Sequence, residues 1–274
     1  MSATRGWCLR LRAQPDFRVD LGGVLPVRLA PMTADEVARV ALRHGNARLA
    51  LGELFDITEV AADAPELRLE GELSRFDAIG HGLDGGVLRV DGAVGDRLGL
   101  AMCGGEIRVH GAAGQLVGCE MAGGMIEVDG DVGDFAGGAL PGSMDGMRGG
   151  TLIIRGNAGA RCADRMRRGT ILIHGDAGDF LASRMVAGTL ALAGRAGSHC
   201  GYGMRRGTLV FAGAAPAVPP TFVATHHDIV VFWTLLRRSL AYHGGPFSAL
   251  PASAPRRFAG DLAVGGKGEW LLPG

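Results

Sequence analysis

Apolar and polar positions alternate along this chain in short runs that recur at a fixed interval. Seven runs, GVLRVDG from Gly86, GEIRVHG from Gly105, GMIEVDG from Gly124, GTLIIRG from Gly150, GTILIHG from Gly169, GTLALAG from Gly188 and GTLVFAG from Gly207, start at steps of 19, 19, 26, 19, 19 and 19 residues. In each run the second and fourth residues after the anchor glycine are apolar, from Leu88 and Val90 to Leu209 and Phe211. Period two marks a strand with one face inward. A strand of about five residues cannot bury its own face, but stacking the copies at about 4.8 Å pairs each with its equivalents in parallel and aligns the inward residues. The pattern predicts an all-β fold: a single right-handed parallel β-helix of about seven to eight coils with 19-residue repeats, plus short flanking α-helices.

The segments between the runs repeat as well. Gly92, Gly111, Gly130, Gly156, Gly175 and Gly194 are each followed three residues later by a second glycine, and then by Met102, Met121, Met147, Met166, Met185 and Met204. The methionine spacing reproduces the step series and places the insertion of the longer step at 141–146. One flexible thioether per coil is expected to fill the interior. Asp96, Asp134 and Asp179 recur just after the second glycine, where a carboxylate can close its turn on nearby backbone N–H groups. Ala163 and Ala182 stand where the pattern has a third glycine, which alanine can often replace, although a change of local turn geometry can accompany it.

Around the repeats, the run ELRLEG after Pro65 reads as a weaker first coil. Thr33 and Glu36 have capping-box spacing and predict a short helix that Gly45 can end. Beyond a Pro-containing linker at 218–221, Asp228 opens an amphipathic helix that Gly244 ends. The expected organisation is an N-terminal strand and helix cap over 1–64, the repeat domain over 65–213, and a C-terminal linker and helix cap over 214–274. The two helices are the expected covers for the open ends of the rod, whose unpaired strand edges would otherwise invite aggregation.

Composition agrees: 47 glycines in 274 residues, without the collagen triplet, require periodic placement. Lys+Arg and Asp+Glu balance at 28 each, so no overall field draws the chain to nucleic acid or membrane. Five cysteines without a C-x-x-C pair argue against a disulfide framework or a thiolate zinc site and for a reducing compartment. The N-terminus has no apolar leader segment and the apolar stretch at 229–233 is too short to span a bilayer, so a cytoplasmic location is expected. Lys267 is the only lysine, and the bias to arginine suggests a GC-rich bacterial genome.

No catalytic constellation emerges. His110 and His174 share a register but lie three coils apart, roughly 14 Å, too far to share a metal. Cys162 and Cys200, two coils and near 10 Å apart, are beyond disulfide reach and read as small buried hydrophobes. His226 and His227 have no carboxylate or cysteine at ligand spacing, which favours a solvated or capping role over a metal site. No P-loop, Rossmann fingerprint or nucleophile elbow sits in its required context. Two surface features remain. The outward third residue of the strand is Arg89, Arg108 and Glu127 in the first three coils, then Ile153, Leu172, Ala191 and Val210. That apolar half needs a cover, from the C-terminal helix or from a partner subunit, so Ile153, Leu172 and Val210 are candidate interface residues. A basic ladder follows the methionines, Arg148, Arg167, Arg168, Arg205 and Arg206, and is either a solvated face or a site for a polyanionic ligand or an acidic partner.

The spacing G-x-x-G-x-x-x-G-x-x-M-x-x-G, seen from Gly111 to Gly124 and from Gly194 to Gly207, resembles the repeat domain shared by the C-terminal domain of the glutamate synthase large subunit and the C subunit of formylmethanofuran dehydrogenase. A chain of 274 residues with GGKGEW from Gly265 looks like the second. That resemblance implies a non-catalytic subunit with no cofactor of its own. In archaea the partner enzyme is a tungsten or molybdenum dehydrogenase. In methylotrophic bacteria it is a formyltransferase/hydrolase complex that moves a formyl group from tetrahydromethanopterin to a methanofuran-like carrier and hydrolyses it to formate, and the arginine bias favours this one. Implied partners are an amidohydrolase-like subunit that carries zinc, a formyltransferase subunit and a dehydrogenase-like B subunit. The carrier's polyglutamate tail is the implied ligand of the arginine ladder. A detached glutamate-synthase-like scaffold, or an independent enzyme module with a metal at the histidine pair, are the alternatives.

Overall fold

The computed structural model describes residues 4–272; the outermost residues of the two expected caps, 1–3 and 273–274, lie outside them. The repeat runs form strands at Asp84–Asp91, Gly104–Val109, Met125–Val128, Arg148–Ile154, Arg168–Ile173, Thr189–Leu192 and Thr208–Phe211. Each pairs in parallel with the next in the register of the repeat, Ile126 opposite Leu152, Leu152 opposite Ile171 and Leu190 opposite Leu209. The weaker run joins them as Glu66–Glu70, with Leu67 opposite Leu88. A second row of parallel bridges runs along the G-x-x-G corners, from Leu73 with Val94 to Ala177 with Ala196. Each repeat thus adds one long and one short parallel rung, and the chain is mostly β.

The inward positions form the core. Leu88, Ile107, Ile126, Leu152, Ile171, Leu190 and Leu209 are fully buried, and so are all six corner methionines. Burial of one such side chain contributes about 1.5–3 kcal/mol, so the ladder carries the stability of the molecule. The turn before each methionine is left-handed. Ala163 and Ala182 hold φ of 62° and 55°, close to Gly118 at 60° and Gly201 at 68°. No change of turn geometry therefore accompanies the alanines. Space explains where glycine can be replaced: a Cβ on Gly137 would overlap Ile171 Cδ1, whereas on Gly118 the approach to Leu152 is an ordinary 3.6 Å. The inward residue in the corresponding register is Leu190 for Ala163 and Leu209 for Ala182, so both alanines stand, like Gly118, at a leucine position where a Cβ has room.

Strands, rather than helices, close the ends of the ladder. At one end Thr4–Leu11 pairs in parallel with Glu66–Glu70 and antiparallel with Phe55–Ala62. At the other, Gly268–Leu272 returns across about sixty residues to pair in parallel with Thr208–Phe211, placing Trp270 opposite Leu209, and Arg256–Gly260 and Val223–Thr225 follow antiparallel. The Thr33 capping box forms, with the Glu36 carboxylate accepting the Thr33 N–H at 2.8 Å. Its helix is only Ala34–Ala38, because the following residues make a hairpin of Ala41–His44 with Ala47–Ala50. Gly45, at φ 55°, turns that hairpin instead of ending the helix. The C-terminal helix is Val230–Ala241, and it lies along the side of the sheet.

Candidate functional site

The apolar half-face is covered from within the chain. Ile153, Leu172, Ala191 and Val210 pack with Trp233 and Leu240 of the C-terminal helix, with Phe247 and Leu250 after it, and with Leu271. Trp233 donates its indole N–H to the Pro251 carbonyl at 3.0 Å, fixing the helix to the segment that follows. Ile153, Leu172 and Val210 are thus buried against this chain's own helix and are not a surface for another subunit. The reason is the apolar inward stripe of the helix, whose Trp233 fills the space over the strands.

The arginine ladder stays outside. Arg148, Arg167, Arg168, Arg205 and Arg206 are all exposed, and Arg148 and Arg168 are opposite one another on adjacent strands. Arg148, Arg168, Arg205 and Arg206 make no ion pair among the described residues. Arg167 is paired with Asp145 at 2.5 Å, a residue of the inserted loop.

Beside the ladder that loop walls a groove of about 470 Å³ lined by Met144, Arg165, Arg167, Arg184, Tyr202 and Arg205, with Asp261 and Val264 at its C-terminal rim. Four guanidinium groups from three successive coils converge here. Arg165 and Arg184, which lie outside the ladder read from the sequence, stand immediately before Met166 and Met185 at φ 57° and 55°. The DRM and SRM strings were the available signal. Their anchor is Asp164, only 3% exposed, which accepts from Arg184 at 2.8 and 2.9 Å and from Ser183 Oγ at 2.5 Å. Asp164 holds the Arg184 fork rigid, while Arg205 projects a charge with no acidic partner among the described residues. A pre-oriented guanidinium beside an uncompensated one suits a chain of carboxylates.

The other candidates have structural environments. Asp96, Asp134 and Asp179 do not close their own turns; they accept the N–H groups of Gln115, Ala160 and Ser198 at 2.9, 2.7 and 2.7 Å. Each stitches its coil to the next because the equivalent residue one coil on lies within reach across the stack. Cys119, Cys162 and Cys200 are buried, and burial pushes the Cys119 and Cys162 thiols up to about 12. His110 is paired with Asp129 at 2.7 Å. His174 lies against the edge of Phe247 and within 3.5 Å of Arg155, which is itself paired with Glu127 at 2.6 Å. Burial first, and the Arg155 charge second, hold His174 and the neighbouring His243 below the usual histidine range. His226 and His227 are exposed, and the described residues contain no group of three or more side chains able to hold a metal ion. No described helix is long and apolar enough to cross a membrane.

No family model matches the sequence. The C subunit of the formyltransferase/hydrolase complex Fhc of Methylorubrum extorquens is 44% identical over 90 residues, a third of either chain. The C subunit of the molybdenum-containing formylmethanofuran dehydrogenase 1 of Methanothermobacter wolfeii is 37% identical over 85 residues, 30% of this chain and 21% of that one. These alignments leave most of the relatives' length unmatched. The structural likeness extends further: against a chain in the crystal structure of the Methylorubrum extorquens formyltransferase/hydrolase complex, FhcABCD, with methylofuran, the TM-score is 0.89 at 43% identity, over 97% of this chain and 99% of that one. Identity of that level over full length shows common descent, and this chain belongs to the family formed by the C subunits of the formyltransferase/hydrolase complex and of formylmethanofuran dehydrogenase.

Proposed function

We propose that this chain is the non-catalytic C subunit of a formyltransferase/hydrolase complex that transfers a formyl group from tetrahydromethanopterin to a methanofuran-like carrier and releases it as formate. The carrying observation is the full-length likeness to a chain of a complex that binds methylofuran. The stacked parallel rungs support reading residues 65–213 as a right-handed parallel β-helix of seven to eight coils, between a cap over 1–64 and a cap over 214–274. In this reading the rod is a rigid platform. Chemistry belongs to an amidohydrolase-like subunit with zinc and to a formyltransferase subunit, accompanied by a dehydrogenase-like B subunit, in the cytoplasm.

The arginine ladder and the adjoining groove hold the carrier's polyglutamate tail. Arg148, Arg168, Arg205 and Arg206 supply exposed charge, and Arg167 joins them with Arg165 and Arg184 along the groove. Binding of a polyglutamate peptide, followed by titration calorimetry at low and at physiological salt, tests this. The triple variant Arg168→Ala, Arg205→Ala, Arg206→Ala is expected to lose at least tenfold in affinity, with a shallower salt dependence; unchanged affinity would remove the tail from this face. Mass spectrometry of the subunits that co-purify with the tagged chain tests the assembly. Recovery of a tungsten or molybdenum dehydrogenase, or of glutamate synthase components, in place of a formyltransferase would reassign the complex.

A further inference from the structure

The C-terminal helix Val230–Ala241 is apolar on two opposite faces. Its inner face buries Trp233 and Leu240 against the sheet. On the other side Val231, Leu235 and Tyr242 are 75%, 62% and 88% exposed. Their spacing of four and seven residues places them, with Arg238 between, on a single outward ridge. Exposed Val230 and Phe232 flank its N-terminal end. A helix at a free surface turns polar residues outward, whereas one that is apolar all round is a covered helix.

Charge says what kind of cover fits. From Ile229 to Gly245 the chain has no acidic residue, and Asp228, just ahead of the helix, turns its carboxylate to the Val230 N–H at 2.9 Å. Arg238 is exposed on the ridge without an ion pair among the described residues, and Arg237 beside it gives only Nη1 to the Leu250 carbonyl, at 3.4 Å, while its Nε is buried without a partner. His226, His227 and Arg256 are also exposed. An unpaired guanidinium pair beside an apolar ridge is complementary to a surface with an apolar groove rimmed by carboxylates.

We propose that this ridge is the docking surface for an acidic-rimmed apolar groove on another subunit of the assembly, an inference that rests on reading the chain as one subunit of a hetero-oligomer. A second copy of the chain fits poorly. A copy of the chain would bring Arg238, His226 and His227 to the contact twice over, against one carboxylate per helix, Asp228, which already accepts the Val230 N–H at 2.9 Å. The helix alone is also too small to form a stable interface. It measures about 18 Å by 10 Å, or roughly 200 Å² of footprint, against about 800 Å² per partner in a standard interface. The partner therefore reaches beyond the ridge.

The test is isolation of the assembled complex from the native host through a tagged chain, comparing wild type, the double variant Val231→Glu with Leu235→Glu, and Arg238→Glu. All three positions are exposed, so the isolated variants are expected to keep the wild-type unfolding midpoint. Wild type is expected to recover partner subunits in constant ratio. The double variant is expected to lose at least tenfold of at least one of them, and Arg238→Glu to lose several-fold in a salt-sensitive way. Undiminished recovery with both variants overturns the docking surface while leaving the subunit assignment standing. Failure of the wild-type chain to recover any partner subunit overturns both. Self-association of the isolated wild-type chain in sedimentation, abolished by the double variant, would assign the ridge to a second copy and overturn the proposal.

Discussion

Replacing Trp233 by alanine is expected to release the C-terminal helix from the side of the rod while leaving the ladder of strands folded. Trp233 is 1% exposed and lies over a face made by Ile153, Leu172, Ala191 and Val210. A buried tryptophan withdraws about 150–250 Å² from water, which at about 25 cal/mol per Å² is about 4–6 kcal/mol as an upper estimate. Large-to-small substitution of such residues costs about 3–5 kcal/mol in practice, and loss of the hydrogen bond to Pro251 adds to the same side. A 12-residue helix is marginal in isolation, so a penalty of that size approaches its whole docking free energy. Global denaturation is then limited to the same loss, because an undocked helix gives up nothing more. Two assays separate the parts. Urea unfolding should fall by about 3 kcal/mol or more, and native-state trypsin should cleave after Arg237 or Arg238 in the variant much faster than in wild type. A loss below about 1 kcal/mol with unchanged cleavage would refute the helix as the cover of that face.

Three further outcomes follow from the geometry. His174 and His243 are held neutral by burial and by Arg155, so the unfolded chain binds their protons more readily than the folded one. Their contribution to stability is complete above the unfolded value of about 6.5 and is lost as pH falls from there through the folded values; His174→Gln should flatten that part of the stability–pH curve, and an unaltered curve would contradict it. At pH 7.5 iodoacetamide should modify Cys103 quickly and leave Cys119, Cys162 and Cys200 untouched until the chain is unfolded, as peptide mass spectrometry would report, because only Cys103 is exposed among them. Asp134→Ala should lower stability by about 1 kcal/mol by orphaning the Ala160 N–H, whereas Asp134→Asn should lose less, since Asn157 makes the equivalent bond to Asp176 N–H elsewhere in the stack; equal losses in a urea series would contradict the stitching role.

The repeat makes much of the fold readable in the sequence. Anchor glycines, the inward pairs such as Leu88 with Val90, and the corner methionines mark every coil, and a residue's equivalents can be named without coordinates. Elements that occur once are less accessible. Nothing in GKGEW announces that Trp270 completes the inward column, because its partner Leu209 belongs to a repeat and it does not. The side chain of Asp134 has two amides within reach, one in its own turn and one in the next coil, and only the stacked geometry decides between them. Gly45 reads as a helix end because a glycine after a capped segment ends helices and turns hairpins equally well. At the candidate site, Arg167 and Arg205 are marked by their position after the methionines. Arg165 and Arg184, just before them, come into view only once the left-handed turns aim them into the same groove.

On the proposed function, this chain supports formyl transfer and hydrolysis performed by its partners. The most direct measurement is formate release from formyl-tetrahydromethanopterin by the complex isolated through this chain, set beside the isolated chain at equal concentration. Formate from the complex and none from the chain alone is the expected result; turnover by the isolated chain, or a complex with no formyl-transfer activity, would overturn the proposed role.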